Sequence, residues 1–359
     1  MLNKDTLLTA VLAASGGKQV IKYDDKGKPS VMVRIPKFNL EDIHPDLGTG
    51  PHPAFVVDGV VKNEIYIGAY QAVVDEGRAC SLPGVSPAVN ITFDNAKAAC
   101  VNKGPGWHLM TNWEWAAIAL WCLKNGFQPR GNTSSGKSHA ATWETGTPVT
   151  DNAAKTLGGS GPVSWRHDGT FAGIADMVGN VWEWNDGIKL VDGRLYFPVD
   201  NYFDQPESQW PASAIYLDAT AGPGDRNGAV DSGDIVISDR ITKYSETPTP
   251  AGGTDPGNFD YAWNITWAGT AVAAAFDALP LETRQKAVQL MIAPKLTSGG
   301  AAVFPDTKGS FWSRNYGERR PIRGGGWSSG AGAGLADLIL YYRRSPVDSS
   351  IGLRPAFVL

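Results

Sequence analysis

The side chains best able to do chemistry in this sequence are few and scattered. Three cysteines, Cys80, Cys100 and Cys122, form no Cys-x-x-Cys pair, and their odd number argues against a disulfide framework. Cys100 and Cys122 sit in helix-like stretches among apolar neighbours and read as buried free thiols. Five histidines, His44, His52, His108, His139 and His167, show no metal-binding spacing, and each reads as a lone surface or loop residue. No metal site is expected from them. Gly324-Gly325-Gly326 lacks the strand-to-helix context and the following Lys-Ser/Thr of a phosphate loop, and no nucleophile elbow is present. The acidic stretch from Asp225 through Asp234 offers the hard oxygens that calcium prefers, but its spacing departs from the EF-hand pattern. A structural calcium is therefore the only cofactor left open. Glu183 lies between Trp182 and Trp184, where a buried carboxylate must be paired. A structural bond to an arginine or a backbone donor is the expected use, so no catalytic residue is assigned.

What remains is a surface. The closing segment, Arg320 to Leu359, opens with glycines, mixes Tyr, Ser, Asp, Gly and Arg, and ends on the strand-like run IGLRPAF. Tyrosine gives rigid amphipathic contact area at low entropic cost, and Ser, Gly and Asp give adaptable hydrogen bonding, as in antibody paratopes. The composition, 42% hydrophobic and 19% charged with a net charge of −4 over 359 residues, fits a globular chain and argues against nucleic acid as the main partner. No apolar run is long enough to span a bilayer, so membrane insertion is not expected.

The elements that must carry this segment come in order. MLNKDTLLTAVLAASGG reads as a short helix capped by Asp5 and stopped by Gly16-Gly17 rather than as a secretory signal. Residues 18–37 read as a hairpin around Asp-Asp-Lys-Gly, residues 38–58 as an irregular lead-in, and residues 62–74 as strands. A helix starts at Thr92, and a second follows the capping box Thr111-Asn112-Trp113-Glu114 and stops at Asn125-Gly126. Trp113, Trp115 and Trp121, at helical spacing, are expected in the core. Residues of about 188–310 are heterogeneous and read as an insertion with a small sheet of its own; one convincing helix lies at PLETRQKAVQLMIAP.

Here the motifs resemble a known family. Asp176-Met177-Val178-Gly179-Asn180-Val181-Trp182-Glu183-Trp184 is similar to the DMxGNVWEW signature of the formylglycine-generating, sulfatase-modifying proteins. Asn90 through Trp115 resembles their first helix pair, and Arg323-Gly324-Gly325 with IGLRPAF resembles their C-terminal frame. The resemblance covers roughly residues 60–187 and 311–359 and implies an α+β, C-type-lectin-like fold with two helices, irregular loops and insertions. The chain then divides into residues 1–58, an N-terminal helix, hairpin and lead-in that are a candidate assembly or attachment element for a homo-oligomer, and residues 59–359, the lectin-like domain with an insertion at about 188–310 and a variable ligand-binding region at 324–350. In the family's enzymes, paired cysteines lie between the two frame motifs; here Gly324 to Leu359 contains none.

The same segment resembles more closely the variable region of proteins diversified by retroelements, which include phage tropism determinants. Their pattern RGGxWxxGAxAGxxxLxLxxxRSxxxxxIGxRP is followed from Arg323 to Pro355. In such elements the adenines of Asn codons are randomised, and an AAY codon changed at its first two bases cannot yield Lys, Gln, Glu, Met or Trp. The resemblance makes Gly326, Ser328, Ser329, Gly332, Leu335, Asp337, Ile339, Tyr341, Tyr342, Arg343, Val347, Asp348 and Ser349 the candidate ligand-contacting positions, and all are reachable types. Arg323, Gly324, Gly325, Trp327, Gly352 and Arg354, with Gly179, Asn180, Trp182, Glu183 and Trp184, would be the scaffold. Leu338 and Leu340 alternate with Asp337, Ile339 and Tyr341 and are expected to face the core. The implied function is binding of a protein or glycan on a cell surface, from a phage tail or, second to it, a bacterial surface. The alternatives are a sulfatase-modifying-type enzyme using non-cysteine chemistry and a lectin or adhesin of fixed specificity.

Overall fold

The computed structural model describes residues 4–220, 222, 235–245, 270–293, 303–304 and 306–359, with the backbone alone for 270–273. Helix α1 (Lys4–Ala14) closes where the Gly17 N–H reaches the Leu12 carbonyl at 2.8 Å, and it lays Leu7, Leu8 and Val11 on the main core. β1 (Gln19–Tyr23) and β2 (Pro29–Pro36) form the expected hairpin. Its turn is held by Asp24, whose Oδ1 accepts from the N–H groups of Lys26 and Lys28 at 3.0 and 2.8 Å. The short helix α2 (Leu40–Ile43) and the ribbon β3 (Val56–Val57) with β4 (Val60–Val61) lead to β5 (Glu64–Gly68) and a second ribbon, β6 (Val73–Asp75) with β7 (Arg78–Cys80).

Helix α3 (Phe93–Val101) starts where the Thr92 hydroxyl accepts from the Asn95 N–H at 3.2 Å, and β8 (Trp107–Leu109) follows it. Helix α4 (Asn112–Lys124) begins at the capping box: the Thr111 hydroxyl accepts from the Glu114 N–H at 3.2 Å, and Glu114 accepts from the Thr111 N–H at 2.9 Å. Trp113 and Trp115 are fully buried, and Trp121 is half-buried. After a long irregular stretch come β9 (Trp182–Trp184), β10 (Lys189–Val191), β11 (Arg194–Tyr196), β12 (Ala212–Ala219) and β13 (Ile235–Ser238). The chain continues through α5 (Thr270–Asp277), α6 (Leu281–Gln289), β14 (Phe311–Ser313), β15 (Glu318–Arg323), β16 (Leu338–Tyr342), β17 (Ile351–Leu353) and β18 (Pro355–Phe357).

Among the described residues, two main sheets organise these strands. One runs β1-β2-β5-β18-β8; the other runs β13-β12-β11-β10-β15-β16-β14, with β9 bridging β15 and β17. Two expectations change. Residues 1–58 are not a separate lead-in, because β2 pairs with β5 from Met32↔Gly68 to Pro36↔Glu64 and so joins the sheet that receives the C-terminal β18. Among the described residues of 188–310, strands β10 to β13 are not a sheet of their own, because β10 pairs with β15 at Leu190↔Arg319 and extends the sheet that holds the closing segment. The pairings that make these joins link strands far apart in the chain and leave no periodic trace in the sequence.

Candidate ligand-binding surface

The closing segment is built on a frame with almost no solvent contact. Arg354 is fully buried and makes a two-pronged bond to Glu183, from Nε to Oε2 at 2.8 Å and from Nη2 to Oε1 at 2.6 Å. Its remaining donors go to the carbonyls of Gly68 (2.8 Å) and Ala175 (2.9 Å), tying β18 to β5 and to the DMVGNVWEW stretch. Glu183 Oε1 also accepts from Gln71 Nε2 at 3.1 Å. Arg323 is likewise buried; it donates to Asn112 Oδ1 at 3.0 and 2.6 Å, and to the carbonyls of Leu290 (3.0 Å) and Met291 (3.2 Å), locking β15 to the start of α4 and the end of α6.

Between these two arginines the backbone approaches itself closely. The Gly179 N–H donates to the Gly324 carbonyl at 2.9 Å, and both residues have positive φ (+78° and +91°). A Cβ on Gly324 would sit 2.5 Å from the Met177 carbonyl oxygen, and one on Gly179 would collide with the Asn132 carbonyl, so both must be glycine. Asn180, buried at φ +66°, accepts from the Thr156 N–H at 2.8 Å and donates to Gln71 Oε1 at 3.0 Å. Its carbonyl receives the Trp327 N–H at 2.9 Å. Gly352 passes against the Ala88 carbonyl, Gly325 lies against Asp337, and Trp184 donates its indole N–H to the Ile91 carbonyl at 2.9 Å.

The candidate contact positions divide sharply. Ser328, Val347 and Ser349 are exposed; Ser329, Gly332, Tyr341, Tyr342, Arg343 and Asp348 are half-buried. Gly326, Leu335, Asp337 and Ile339 are buried and cannot touch a ligand in this conformation. The alternation along β16 separates Leu338 and Leu340, which enter the main core, from Ile339 and Tyr341. However, the second face is not simply open. Strand β14 pairs in parallel with β16 at Trp312↔Ile339, and Ile339 packs in a second cluster with Trp184, Ile322 and Ile351. Leu335 turns inward, and its carbonyl accepts from the Trp115 indole at 2.8 Å.

What stays accessible is an aromatic ledge. The rings of Tyr341 and Tyr342 lie 4.5 Å apart, Tyr342 meets Trp184 edge-on at 6.0 Å, and Trp182 meets Trp312 at 6.1 Å. The Arg314 guanidinium lies 5.2 Å from the Tyr341 ring. Residues 326–332 run beside this ledge, Gly326 next to Trp182 and Gly332 next to Trp312. The Ser329 hydroxyl is occupied, accepting from the Gly326 N–H at 2.9 Å. Residues 343–350 border the ledge and are pinned from behind. Arg344 donates to Asp94 (3.0 Å from Nε), Glu207 (2.8 Å) and Glu318 (3.4 Å), and its carbonyl accepts from the Phe93 N–H. Asp348 spends Oδ1 on the N–H and hydroxyl of Ser350 at 2.7 and 2.6 Å, so it shapes the loop more than it presents charge. Trp312, Arg314 and Arg344 escaped the sequence reading. The run GSFWSRNY gives a three-residue strand too short for any period to reveal.

Asp337 is the strained member. It is fully buried, and neither carboxylate oxygen has a hydrogen-bond partner among the described residues; the N–H groups of Ser310 and Leu338 lie beside it outside bonding geometry. Burial pushes its pKa well above the ordinary carboxylate range, against the pull of these N–H groups and of Arg323. A carboxyl whose folded pKa is raised favours the fold below its unfolded pKa, and this advantage is lost as pH rises toward the folded value. Asp337→Asn is therefore expected to be near neutral or slightly destabilising at pH 4 and stabilising at pH 8. The single-group limit is about 1.4 kcal/mol per pH unit between the two pKa values. Urea unfolding of both proteins at the two pH values measures it, and equal effects at both would refute the assignment.

The remaining chemistry-bearing groups are sealed or engaged. All three cysteines are buried and free, and burial pushes the thiols of Cys100 and Cys122 far up, away from the reactive thiolate. Asp176 is buried, and its Oδ2 accepts from the Gly159 N–H at 2.7 Å; burial raises its pKa. Three histidines are not surface residues. His52, His108 and His167 are buried, and His108 stacks on Phe203 at 3.8 Å while bonding Glu114 at 2.8 Å. The calcium candidate at 225–234 lies outside the described residues.

A family profile described as the sulfatase-modifying factor enzyme 1-like domain matches residues 3–189. The chain is 33% identical over 98 residues to a Bos taurus protein named inactive C-alpha-formylglycine-generating enzyme 2, a match covering 27% of this chain and 32% of that protein. It thus spans about a third of the length of the first curated relatives it matches. Among solved structures it is similar to Treponema denticola variable protein 1, with 12% identity, a TM-score of 0.32 and coverage of 94% of this chain and 98% of that one. It is also similar to a Major Tropism Determinant, the U1 variant, with 11% identity, a TM-score of 0.31 and coverage of 94% and 71%.

Proposed function

The chain belongs to the sulfatase-modifying factor enzyme 1-like domain family and carries that family's α+β, C-type-lectin-like fold; within the family, we propose that it is a non-enzymatic ligand-binding protein diversified by a retroelement. The observation that carries this reading is the division of the closing segment. Arg323, Gly324, Gly325, Gly352 and Arg354 are buried and fixed by hydrogen bonds or backbone contact, while Ser328, Ser329, Gly332, Tyr341, Tyr342, Arg343, Val347 and Ser349 reach solvent. Replacement at the second set leaves the frame's bonds in place. Tyr341 and Tyr342 supply anchors, and Arg343 supplies charge complementarity toward the partner.

Enzymatic use of the family's fold is disfavoured on chemical grounds. Gly324 to Leu359 holds no cysteine, and Glu183 and Asp176, the carboxyls best placed for other chemistry, have no route to a substrate. The partner is a protein or glycan on a cell surface, met from a phage tail or, second to it, a bacterial surface. Single-copy affinity on so small a ledge would be modest and would be raised by several copies acting together. The test is genetic. The DNA near the gene should contain a near-identical copy of the codons for residues 323–355, with adenines at the variable codons, beside a reverse transcriptase gene. A genome with neither would overturn diversification and leave a binding protein of fixed specificity.

A further inference from the structure

A cavity of about 520 Å³ opens between the end of α1, strand β2 and helix α4, and none of its lining residues belongs to the closing segment. That volume lies in the range of small-molecule sites. Its walls are apolar, formed by Val33, Ile35, Pro36, Phe38, Ile118 and Trp121. The Trp121 ring is braced by Phe127, stacked at 5.9 Å, and lies 5.6 Å from His167.

The polar groups of the lining decide what it would hold. Both carboxylates are already engaged. Asp168 accepts from Lys18 Nζ at 2.9 Å and from the Thr170 N–H at 3.0 Å; Glu64 accepts from Arg34 at 2.8 and 3.1 Å and from the Tyr66 hydroxyl. His167 Nδ1 accepts from the Ile174 N–H at 2.8 Å, which places the ring proton on Nε2. The imidazole is neutral, because burial holds its pKa down at about 4. Among the described residues, the lining side-chain groups left without a bond are donors: His167 Nε2, the Trp121 indole N–H and the Lys37 ammonium at the rim. Lys18, Arg34 and Lys37 against Glu64 and Asp168 leave one positive charge over. The lining therefore lacks an acceptor and an anion, and it has apolar surface to cover.

We propose that this cavity binds a small amphipathic monocarboxylate, its apolar body against Trp121, Ile118 and Val33 and its carboxylate toward Lys37. This site is independent of the ledge formed by the closing segment. Isothermal titration of the full chain with octanoate, octan-1-ol and octylamine tests it. Octanoate should bind saturably and at least roughly tenfold tighter than the other two, the step expected of one charge-assisted contact. Lys37→Glu, at an exposed rim position, should weaken octanoate roughly tenfold or more while leaving octan-1-ol unchanged. Ile118→Trp should abolish binding of both by filling the cavity. No saturable octanoate binding, equal affinity for all three probes, or indifference to Lys37→Glu would each overturn the proposal; the last needs no variant in the core to fold.

Discussion

A Glu183→Gln variant is expected to lose about 3–5 kcal/mol of stability, the largest effect of any single substitution considered for this chain. The physical reason is desolvation. Arg354 has no exposed surface, and its charge is tolerated because a carboxylate faces two of its donors at 2.6 and 2.8 Å. The amide keeps the shape and one acceptor but removes the charge, leaving a guanidinium buried without a counterion. Equilibrium urea unfolding should show a lower midpoint with an unchanged slope. Adding Arg354→Met to that variant should recover part of the loss, because an apolar side chain then replaces the stranded charge. The same experiment separates structure from catalysis. A catalytic carboxylate would be removable with little loss of stability, and Glu183 is expected to behave in the opposite way.

The second large effect falls on binding. Substituting Tyr341 and Tyr342 together with Ala should weaken adhesion to any bound cell surface by roughly a hundredfold, as removal of two aromatic anchors from an interface centre does. The expected cost in stability is smaller, on the order of 1–2 kcal/mol, because both rings are half-buried. Tyr342 carries most of that cost through its edge-on contact with Trp184, while Tyr341 leans on Arg314. Adsorption of the immobilised protein to cell-envelope preparations, with near-ultraviolet circular dichroism as a control for the fold, measures both effects. Full-strength adhesion by a folded double variant would remove the ledge from the site.

Local rules made much of this molecule legible. The capping box at Thr111 and Glu114 marked the start of α4, Asp24 marked the first hairpin, and the alternation of Leu338 and Leu340 with Ile339 and Tyr341 gave the right faces of β16. The errors came from long-range pairing, which leaves no local signal. The variable-region resemblance and the alternation with Leu338 and Leu340 place Ile339 at a ligand, yet β14 lies beside it and Ile339 packs with Trp184, Ile322 and Ile351. The variable-region resemblance makes Asp337 a contact position, but the turn that carries it is pressed against Gly309 and Gly325. His108 was expected on the surface because nothing in the chain announces Phe203 as its stacking partner. The hairpin of residues 18–37 reads from the sequence as part of an assembly element, whereas its strand β2 pairs with β5, in the sheet that β18 completes.

The central claim is that the protein keeps a fixed frame and changes what it presents. Deep sequencing of the gene's 3′ end, in a population grown from one cell, tests this most directly. The account predicts an excess of substitutions at the codons of Ser328, Ser329, Gly332, Tyr341, Tyr342, Arg343, Val347 and Ser349. Those of Arg323, Gly324, Trp327, Gly352 and Arg354 should stay at the background of the rest of the gene. Substitutions spread evenly along the gene, or equally frequent at frame and ledge codons, would contradict it.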